Sequence, residues 1–183
     1  MSLYTGLDLL DGTGLRENVS LRIEAGRIAW IGTPAPVCAV DLSVDGQRPL
    51  ICPGFLDLQV NGGGGLMLAE CHSVADLATF VQAHRAGGTT GLLPTLISDT
   101  PETTARIIAL VAEGCAQIPA LRGLHLEGPH LAIAGAHDPA RLRPMTQADL
   151  SLYLEAASRL PHLMITLAPE QVTQRLREAI AVG

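Results

Sequence analysis

A single carboxylate stands at the end of a short apolar strand pattern near the middle of the chain. In segment 123–129, Gly-Leu-His-Leu-Glu-Gly-Pro, two leucines alternate with His125 and Glu127, and Gly128-Pro129 ends the pattern. Because successive side chains point to opposite faces of a strand, His125 and Glu127 are predicted to share one face. A carboxylate at the carboxyl end of a strand is a candidate metal ligand or general base. A structural glutamate paired with an arginine or with water is the alternative.

A second strand pattern carries several polar side chains. Segment 52–62 reads Cys-Pro-Gly-Phe-Leu-Asp-Leu-Gln-Val-Asn-Gly. Alternation predicts two faces, the first with Leu56, Leu58 and Val60 and the second with Phe55, Asp57, Gln59 and Asn61. Buried polar side chains need hydrogen-bond partners, so three of them on an inward face indicate a site more than a core strand. The two segments together predict polar groups from two strands converging in one place.

The loop after Glu127 offers a further candidate. His137 lies between turn residues in segment 135–139, Gly-Ala-His-Asp-Pro, which predicts that the loop presents this side chain and does not bury it in a core. A loop histidine is usually only solvated, but this loop leaves the strand that carries Glu127. Asp138, directly before Pro139, is interpreted as a residue that stabilises a turn and not as a catalytic acid. The histidines without such a context are interpreted as surface or helix-cap residues; they are His72, His84 and His162.

A run of four glycines follows the strand pattern at 55–61. The run, Asn61-Gly-Gly-Gly-Gly65, lacks the third glycine of a G-x-G-x-x-G motif and the Gly-Lys-Ser/Thr ending of a phosphate loop. Nucleotide binding is therefore disfavoured. Two interpretations stay open: a backbone that approaches a ligand closely, and a mobile surface loop.

The elements that must position these residues change in character at Pro53. Before it the patterns are β, with alternating segments at 19–23 and 27–31 joined by a tight turn, a loop at 33–36 and a short strand at 40–44. After it strands and helices alternate. Strands are predicted at 55–61, 89–96, 121–127 and 163–167, and helices at 73–86, from 101, at 146–159 and at 171–182.

Four successive βα units predict an α/β fold with a parallel sheet and crossover helices. A closed (β/α)8 barrel needs eight units and about 250 residues. The pattern therefore fits either the first four units of a partial TIM-type barrel, with a small N-terminal β segment, or an open doubly wound sheet of four strands.

Composition narrows the class of protein. The chain has 183 residues and a net charge of −6, and all 12 basic residues are arginine. The sequence has no basic stripe of the kind that indicates nucleic-acid binding, so a nucleic acid is not expected as a partner. No apolar run reaches the roughly 18 residues of a membrane span, and no basic leader precedes an apolar core at the N-terminus. The cysteines form no C-x-x-C pair and are predicted to be buried reduced thiols, typical of the cytoplasm; they are Cys38, Cys52, Cys71 and Cys115.

Taken together, the motifs resemble the N-acetylglucosamine-6-phosphate deacetylases of the amidohydrolase superfamily. The matching segments follow the family's order; they are 53–62, 87–96, 123–129, 135–139 and 166–170. The hairpin at 19–31 resembles the family's N-terminal β-sandwich, so the resemblance covers essentially the whole chain. It implies residues 1–52 as part of that sandwich and residues 53–183 as the first half of a (β/α)8 barrel.

The resemblance also implies roles for individual residues. Glu127 matches the first metal ligand, and His137 is the expected catalytic residue, stabilising the oxyanion that develops on the substrate. Gln59 and Asn61 stand where most amidohydrolases have a His-x-His metal pair. Because a neutral amide is a poor Zn²⁺ ligand, one divalent ion is expected, zinc or alternatively iron. Substrate-binding residues are expected to be Ala136, His137, Gln59 and Asn61.

The implied reaction is metal-assisted hydrolysis of N-acetylglucosamine 6-phosphate to glucosamine 6-phosphate and acetate, in amino-sugar catabolism. The remaining ligands, two histidines, and an aspartate general base are expected in strands beyond residue 183. The 183-residue chain is therefore expected to be inactive alone, and the full-length protein to be a homodimer. Two alternatives stay open. Another amidohydrolase, acting on a cyclic amide or a nucleobase, predicts His-x-His at 59 and 61; a non-catalytic fragment or binding module does not need the missing ligands.

Overall fold

The computed structural model describes residues 1–33 and 38–182, with side chains described up to residue 178. Two compact units divide the chain, Met1–Pro53 and Gly54–Gly183. The predicted loop at 33–36 lies outside the described residues from position 34 onward. The assignment of the two units to a β-sandwich and to half of a barrel stays a prediction.

The first unit is a β-sheet with a small apolar core. The strand order is β3-β2-β1-β4, and β5 also pairs with β1. The strands are β1 (Ser2–Asp11), β2 (Gly14–Glu24), β3 (Arg27–Gly32), β4 (Val40–Asp41) and β5 (Leu50–Ile51). The predicted hairpin is confirmed, because β2 and β3 pair in antiparallel fashion. The strand predicted at 40–44 is shorter, and Val44 forms only an isolated bridge with Gln47. The buried core residues are Leu7, Leu9, Val19 and Leu21.

The second unit alternates strands and helices as predicted. A parallel sheet with the order β11-β10-β9-β6 carries helices in its connections. The elements are β6 (Phe55–Val60), β7 (Gly62–Gly63), β8 (Leu66–Met67), α1 (Val74–Arg85), β9 (Thr89–Ile97), α2 (Pro101–Gln117), β10 (Leu124–Glu127), α3 (Gln147–Arg159), β11 (Leu163–Thr166) and α4 (Gln174–Val182). Short 3-10 turns occupy Leu68–Glu70, Pro139–Arg141 and Pro169–Gln171.

Three helices begin directly after a serine or threonine that caps the first turn. Ser73, Thr100 and Thr146 each accept a hydrogen bond from the backbone N–H three residues further on. Each cap satisfies one of the N–H groups that the first turn of a helix leaves without a partner, and so fixes where the preceding loop ends. Within the part of the chain that the structure describes, no helix is both long and apolar enough to cross a membrane.

The apolar core of the second unit lies between the sheet and its helices. Leucines of the central strands pack against α1, α2 and α3, and the largest fully buried side chain is Phe80 of α1. The strand residues in this core include Leu92, Leu96, Leu124 and Leu126. By alternation along β9, Leu93 points to the opposite face of the sheet from Leu92. The carboxyl ends of four strands are thus held together by one continuous core.

Strand β6 does not alternate as predicted. Val60 is 3% exposed and belongs to the core, whereas Leu56 and Leu58 are 61% and 47% exposed. The register against β9 shifts between Asp57 and Val60, and Asp57 Oδ1 accepts a hydrogen bond from the Gln59 backbone N–H at 3.1 Å. This irregularity interrupts the period of two. The prediction that Leu56, Leu58 and Val60 share a face is therefore wrong.

The exposed leucines belong to an open apolar face of the sheet. With residues of β9 they line a cavity of about 520 Å³. Its lining includes Leu56, Leu58, Gly91, Leu93, Arg122 and His162. Because β6 is an edge strand of the parallel sheet in the part of the chain that the structure describes, this face and the outer edge of β6 could both contact another chain.

We expect the 183-residue chain to associate with itself or to be poorly soluble, because this open face exposes apolar strand residues. Analytical ultracentrifugation over a range of concentrations measures the association. Leu56→Glu combined with Leu58→Glu is expected to shift the distribution toward monomer. Ile133→Glu is the matched control, since Ile133 is a loop residue that is 83% exposed. A monodisperse wild-type monomer over the whole concentration range would contradict the prediction.

An ion pair between Arg143 and Asp149 joins the end of the long loop after β10 to the first turn of helix α3. Arg143 donates from Nη1 and Nη2 to the two carboxylate oxygens of Asp149, at 2.7 and 2.5 Å. Thr146 donates to Asp149 Oδ2 from its backbone N–H and from its hydroxyl, at 2.8 and 2.6 Å. Burial alone raises the pKa of Asp149, but the hydrogen bonds from Arg143 and Thr146 outweigh burial and hold this pKa well below its usual range.

Asp149→Asn is expected to lower the free energy of unfolding by about 1–3 kcal/mol at neutral pH, the usual cost of losing hydrogen bonds to a charged group. Since the folded-state pKa is depressed, the contribution is complete above the unfolded-state pKa of about 3.9 and disappears as pH falls through the folded-state value. Urea midpoints at pH 7 and near pH 3, followed by far-ultraviolet circular dichroism, measure the difference. Asp45→Asn, at an exposed position of the first unit, is the control. A difference between wild type and Asp149→Asn that grows toward acid pH would refute the assignment.

The cysteines differ from the prediction at two positions. All four are free thiols, but Cys38 and Cys52 are exposed, whereas Cys71 is buried and Cys115 is half-buried. Burial raises the pKa of the thiols of Cys71 and Cys115. The prediction of buried thiols is therefore wrong for the two cysteines that lie nearest the N-terminus.

Candidate active site

The carboxyl ends of β6, β9 and β10 bring four side chains into one row, called here the strand-end cluster: Gln59, Glu127, His137 and Ser98. Gln59 Nε2 donates to Glu127 Oε2 at 3.0 Å. His137 Nε2 lies 3.8 Å from Glu127 Oε1. On the other side of the ring, His137 Nδ1 lies 3.2 Å from the Ser98 backbone nitrogen and 2.8 Å from Ser98 Oγ. Polar groups from two predicted segments therefore do converge.

Parallel pairing explains why the row forms. Glu127, the last residue of β10, lies opposite Ile97 of β9 and Thr166 of β11. Ser98 follows β9 directly, so it reaches the same edge of the sheet as Glu127. The loop after β10 then returns His137 to this edge. Its own turn is held by Asp138, whose Oδ1 accepts the backbone N–H of Ala140 at 3.0 Å. The interpretation of Asp138 as a turn residue is confirmed.

Two other predicted site residues lie beside the cluster and not within it. Asn61 is exposed and lines a cavity of about 310 Å³ that also includes Ser98, Asp99 and Arg141. Ala136 is exposed in the loop immediately before His137. The structure thus brings Gln59 into contact with Glu127, and it places Asn61 in an adjoining cavity that shares Ser98 with the cluster.

A row of polar groups crosses the sheet near the strand ends; Thr95 and His125 are buried, and Thr166 at its end is exposed. The Val60 backbone N–H donates to Thr95 Oγ1 at 2.9 Å, and Thr95 Oγ1 lies 3.2 Å from His125 Nδ1. His125 Nε2 lies 2.8 Å from Thr166 Oγ1. Burial lowers the pKa of His125, and the nearby charge of Glu127 acts in the opposite direction. Because the row joins all four strands, it holds the strand ends in register next to Glu127.

His130 holds the base of the loop that carries His137. Its side chain is fully buried, with Nδ1 at 3.0 Å from the carbonyl oxygen of Arg143 and Nε2 at 2.9 Å from the Tyr153 hydroxyl. A carbonyl oxygen only accepts, so Nδ1 carries the hydrogen and Nε2 accepts from Tyr153. Burial lowers the pKa of His130 and favours this neutral form. His130 is therefore a structural contact between the loop and α3.

The glycine run forms a small hairpin against helix α1. Strands β7 and β8 pair in antiparallel fashion, and Gly62 O lies 2.9 Å from His84 Nε2. A Cβ at Gly63 would lie 2.7 Å from both His84 Nε2 and the carbonyl oxygen of Phe80. The close backbone approach that these glycines permit is thus made to a helix of the same unit. His84 lies in the last turn of α1 and is half-buried in this contact, which contradicts its interpretation as a surface residue and leaves the helix-cap alternative in place.

The fit of a divalent ion to these residues depends on Glu127. Its side chain is 21% exposed, and only Oε2 receives a hydrogen bond from Gln59, which leaves Oε1 able to bind a cation. In residues 1–33 and 38–182, no group of three or more His, Cys, Asp or Glu side chains is arranged to hold a metal ion. The described residues can therefore supply one ligand of such a metal site, Glu127, and a complete site needs further ligands from other residues.

Sequence reasoning missed Ser98 and the threonines that accompany His125. Thr95 and Ser98 lie in a segment that reads as an ordinary apolar strand and its end, and a hydroxyl in such a segment is not distinctive. The available signal was position: Ser98 is the first residue after the strand next to β10, and residues there face the same edge as Glu127.

Comparison with known proteins gives a consistent result. No family model matches the chain. It is 45% identical over 134 residues to the N-acetylgalactosamine-6-phosphate deacetylase of Shewanella sp. (strain ANA-3), which covers 71% of this chain and 34% of that protein. The crystal structure of N-acetyl-D-glucosamine-6-phosphate deacetylase from Mycobacterium smegmatis matches with a TM-score of 0.81 and 30% identity, over 100% of this chain and 51% of that one. The D267A mutant of the Mycobacterium smegmatis enzyme, in complex with N-acetyl-D-glucosamine-6-phosphate, matches with a TM-score of 0.76 and 29% identity, over 98% and 46% of the two chains.

The described fold is a mixed α/β structure similar to hydrolases that act on an amide bond. In particular, the relatives are deacetylases of N-acetylglucosamine 6-phosphate or N-acetylgalactosamine 6-phosphate, and the resemblance seen in the motifs is confirmed. The chain spans about a third to a half of the length of the relatives that it matches.

Proposed function

We propose that this chain supplies the first half of the active site of a metal-dependent deacetylase that converts N-acetylglucosamine 6-phosphate to glucosamine 6-phosphate and acetate. The observation that carries the proposal is the strand-end cluster. It sets a carboxylate with one open oxygen beside a histidine, at the carboxyl ends of parallel strands. The names of the similar proteins support the choice of substrate.

The four βα units are then the first half of a (β/α)8 barrel, and the first unit is part of a β-sandwich. The open apolar face that includes Leu56 and Leu58 fits this proposal, because the remaining strands of a barrel would cover it. The relatives are longer than this chain, so the further metal ligands and the general base would come from residues outside the 183. A cytoplasmic homodimer is the proposed state of the complete protein.

Glu127 is the proposed ligand of one divalent ion, zinc or iron. Bound there, the ion would supply Lewis acidity to polarise the acetamido carbonyl and to acidify water. Gln59 has a supporting role, because its amide donates to Oε2 and so holds the carboxylate with Oε1 turned outward. Partners of this kind orient metal ligands and contribute measurably to metal affinity. Gln59 is also a proposed substrate contact.

His137 is the proposed donor to the oxygen on which negative charge develops during attack at the acetamido carbon. A positioned N–H group contributes most when it faces the developing charge in a site that excludes water. Its side chain is 10% exposed, so the ring is already largely screened from water. Ala136 is proposed to contact the same acetamido group through its backbone, and Asn61 to contact the sugar from the adjoining cavity.

Two sugar phosphates are candidate substrates. The Shewanella relative is named for N-acetylgalactosamine 6-phosphate, the epimer of the proposed substrate at one hydroxyl. Co-expression of this chain with the matching C-terminal part of a relative tests both. Acetate release is measured from each sugar phosphate, with the unphosphorylated sugars as controls. Release from N-acetylglucosamine 6-phosphate supports the proposal, release from the galactosamine substrate alone transfers it to the epimer, and release from neither overturns it.

The 183-residue chain alone is expected to bind Zn²⁺ weakly, because Glu127 is the single proposed ligand among the described residues. Zinc content after dialysis against a chelator should be far below one ion per chain, and Glu127→Gln should leave it unchanged. The exposed thiols of Cys38 and Cys52 are replaced by serine in both samples, so that adventitious thiolate binding does not contribute. Stoichiometric zinc that survives dialysis would refute the prediction.

A further inference from the structure

We infer that Ser98 is a positioning residue, which fixes the tautomer and the orientation of the His137 ring so that Nε2 carries the hydrogen and faces Glu127. The placement of the hydrogen rests on geometry alone. Its catalytic consequence rests on the proposed function, in which His137 donates to the developing oxyanion.

The backbone amide of Ser98 decides the tautomer. Its N–H points at His137 Nδ1 over 3.2 Å. An amide N–H donates and never accepts, so Nδ1 must present its lone pair. A neutral imidazole carries one hydrogen on its two nitrogens, and that hydrogen therefore lies on Nε2. With Nδ1 unprotonated, the Ser98 hydroxyl at 2.8 Å is a second donor to the same atom.

The position of Ser98 is itself fixed by the sheet. The residue is 7% exposed and directly follows Ile97, which pairs with Glu127 across the two strands. Gly128, with φ of +81°, passes so close that a Cβ there would collide with Ser98 Oγ. Strand β9 and the turn after β10 thus hold the hydroxyl from two sides. The orientation of His137 is set by these strands as well as by its own loop.

This orientation leaves the Nε2 N–H group of His137 free to donate near Glu127. Nε2 lies 3.8 Å from Glu127 Oε1, beyond the reach of a good hydrogen bond, so its N–H remains available to another acceptor near the carboxylate. In the other tautomer, Nε2 would present a lone pair to a developing oxyanion and repel it. Ser98 therefore decides whether His137 stabilises or opposes negative charge at this point.

Magic-angle-spinning NMR of the sedimented 183-residue chain, uniformly labelled with ¹³C and labelled with ¹⁵N at histidine, tests the inference without requiring activity or a monomer. His137→Asn identifies the His137 signals by their disappearance, and the exposed His72 gives an internal reference for a solvated ring. We expect wild-type His137 to show a protonated Nε2 and an unprotonated Nδ1. Ser98→Ala keeps the backbone N–H that sets the tautomer and removes only the hydroxyl donor, so Nδ1 should stay unprotonated while its signal shifts to that of a more weakly hydrogen-bonded nitrogen. Ser98→Thr, which keeps the hydroxyl, should restore the wild-type signal. Unchanged backbone ¹³C spectra show that the variants fold.

A protonated Nδ1 in the wild type, or a Ser98→Ala spectrum identical to that of the wild type, would overturn the inference. In the enzyme completed by co-expression, Ser98→Ala should lower kcat by several-fold to about tenfold, the effect of one hydrogen bond. KM and metal content should not change, and an unchanged kcat would overturn the link to catalysis. If the completed enzyme releases no acetate while the ring shows the expected tautomer, the proposed function fails and the assignment of the hydrogen stands.

Discussion

Glu127→Gln is expected to remove both the bound metal and the activity of the enzyme completed by co-expression. The substitution preserves the shape of the side chain and replaces a charged oxygen by a neutral amide, which is a much weaker ligand for a divalent cation. Loss of a supporting partner costs about 10- to 100-fold in metal affinity or activity. Loss of a ligand should cost more, so turnover should fall by at least about 100-fold. Acetate release and metal content by mass spectrometry are measured on the same samples.

The matched control for this variant is Glu155→Gln. It makes the same chemical change at an exposed position of α3, where the Glu155 side chain is 65% exposed and pairs with Arg159 one turn away. Metal content and turnover should equal those of the unmodified enzyme. Added metal in excess is expected to restore part of the activity of Glu127→Gln if the defect is affinity. Full metal content and full activity in Glu127→Gln would contradict the assignment of Glu127 as a ligand.

The order of strands and helices was predictable because its signals are local. Capping residues such as Ser73 and Thr146 lie directly before apolar periodic segments, and a helix start needs no information from distant parts of the chain. The same holds for Glu127, since a strand that ends in Gly-Pro exposes its last side chain at the sheet edge whatever the neighbouring strand is. Local chemistry thus predicted the element order and the carboxylate that lies in the strand-end cluster.

The faces of β6 were not predictable from alternation. The shift in register between Asp57 and Val60 is a property of the pair formed with β9, and the segment 55–61 alone contains no signal for it. Gln59 nevertheless reaches Glu127, although the reasoning that placed it with Asp57 on a regular face was wrong. A bulge moves every residue after it to the other face, so predictions from periodicity fail together beyond such a point.

Contacts that depend on the tertiary fold were missed for a related reason. Ser98 and His137 are separated by 39 positions, and only the parallel pairing of β9 with β10 brings them to one edge. Serine is common after strands, so its type carries little information there. His130 shows the same limit, because its burial against Tyr153 arises from the packing of the loop onto α3. Residue type predicted which groups are capable of chemistry, and topology determined which of them meet.

His137→Asn is expected to separate the two proposed roles in the cluster, because it should keep the metal and lose the rate. The asparagine Oδ1 lies near the position of Nδ1 and can still accept from the Ser98 backbone N–H, so the loop should remain in place. No donor remains at the position of Nε2, and loss of one oxyanion donor typically costs on the order of 10²–10³ in rate. We therefore expect kcat of the completed enzyme to fall by about that factor, with metal content nearly unchanged.

Two further variants decide what such a fall in rate means. His137→Gln extends an amide toward the position of Nε2 and loses the contact with Ser98, so it should also lower kcat without loss of metal. If kcat of His137→Gln is higher than kcat of His137→Asn, the difference measures the effect of a hydrogen-bond donor at the position of Nε2. His72→Asn, at an exposed histidine of the same unit, is the control and should leave both quantities unchanged. Loss of metal in His137→Asn would instead make His137 a ligand. A kcat equal to that of the unmodified enzyme would remove it from the reaction, because a donor that faces the developing charge cannot be deleted without cost.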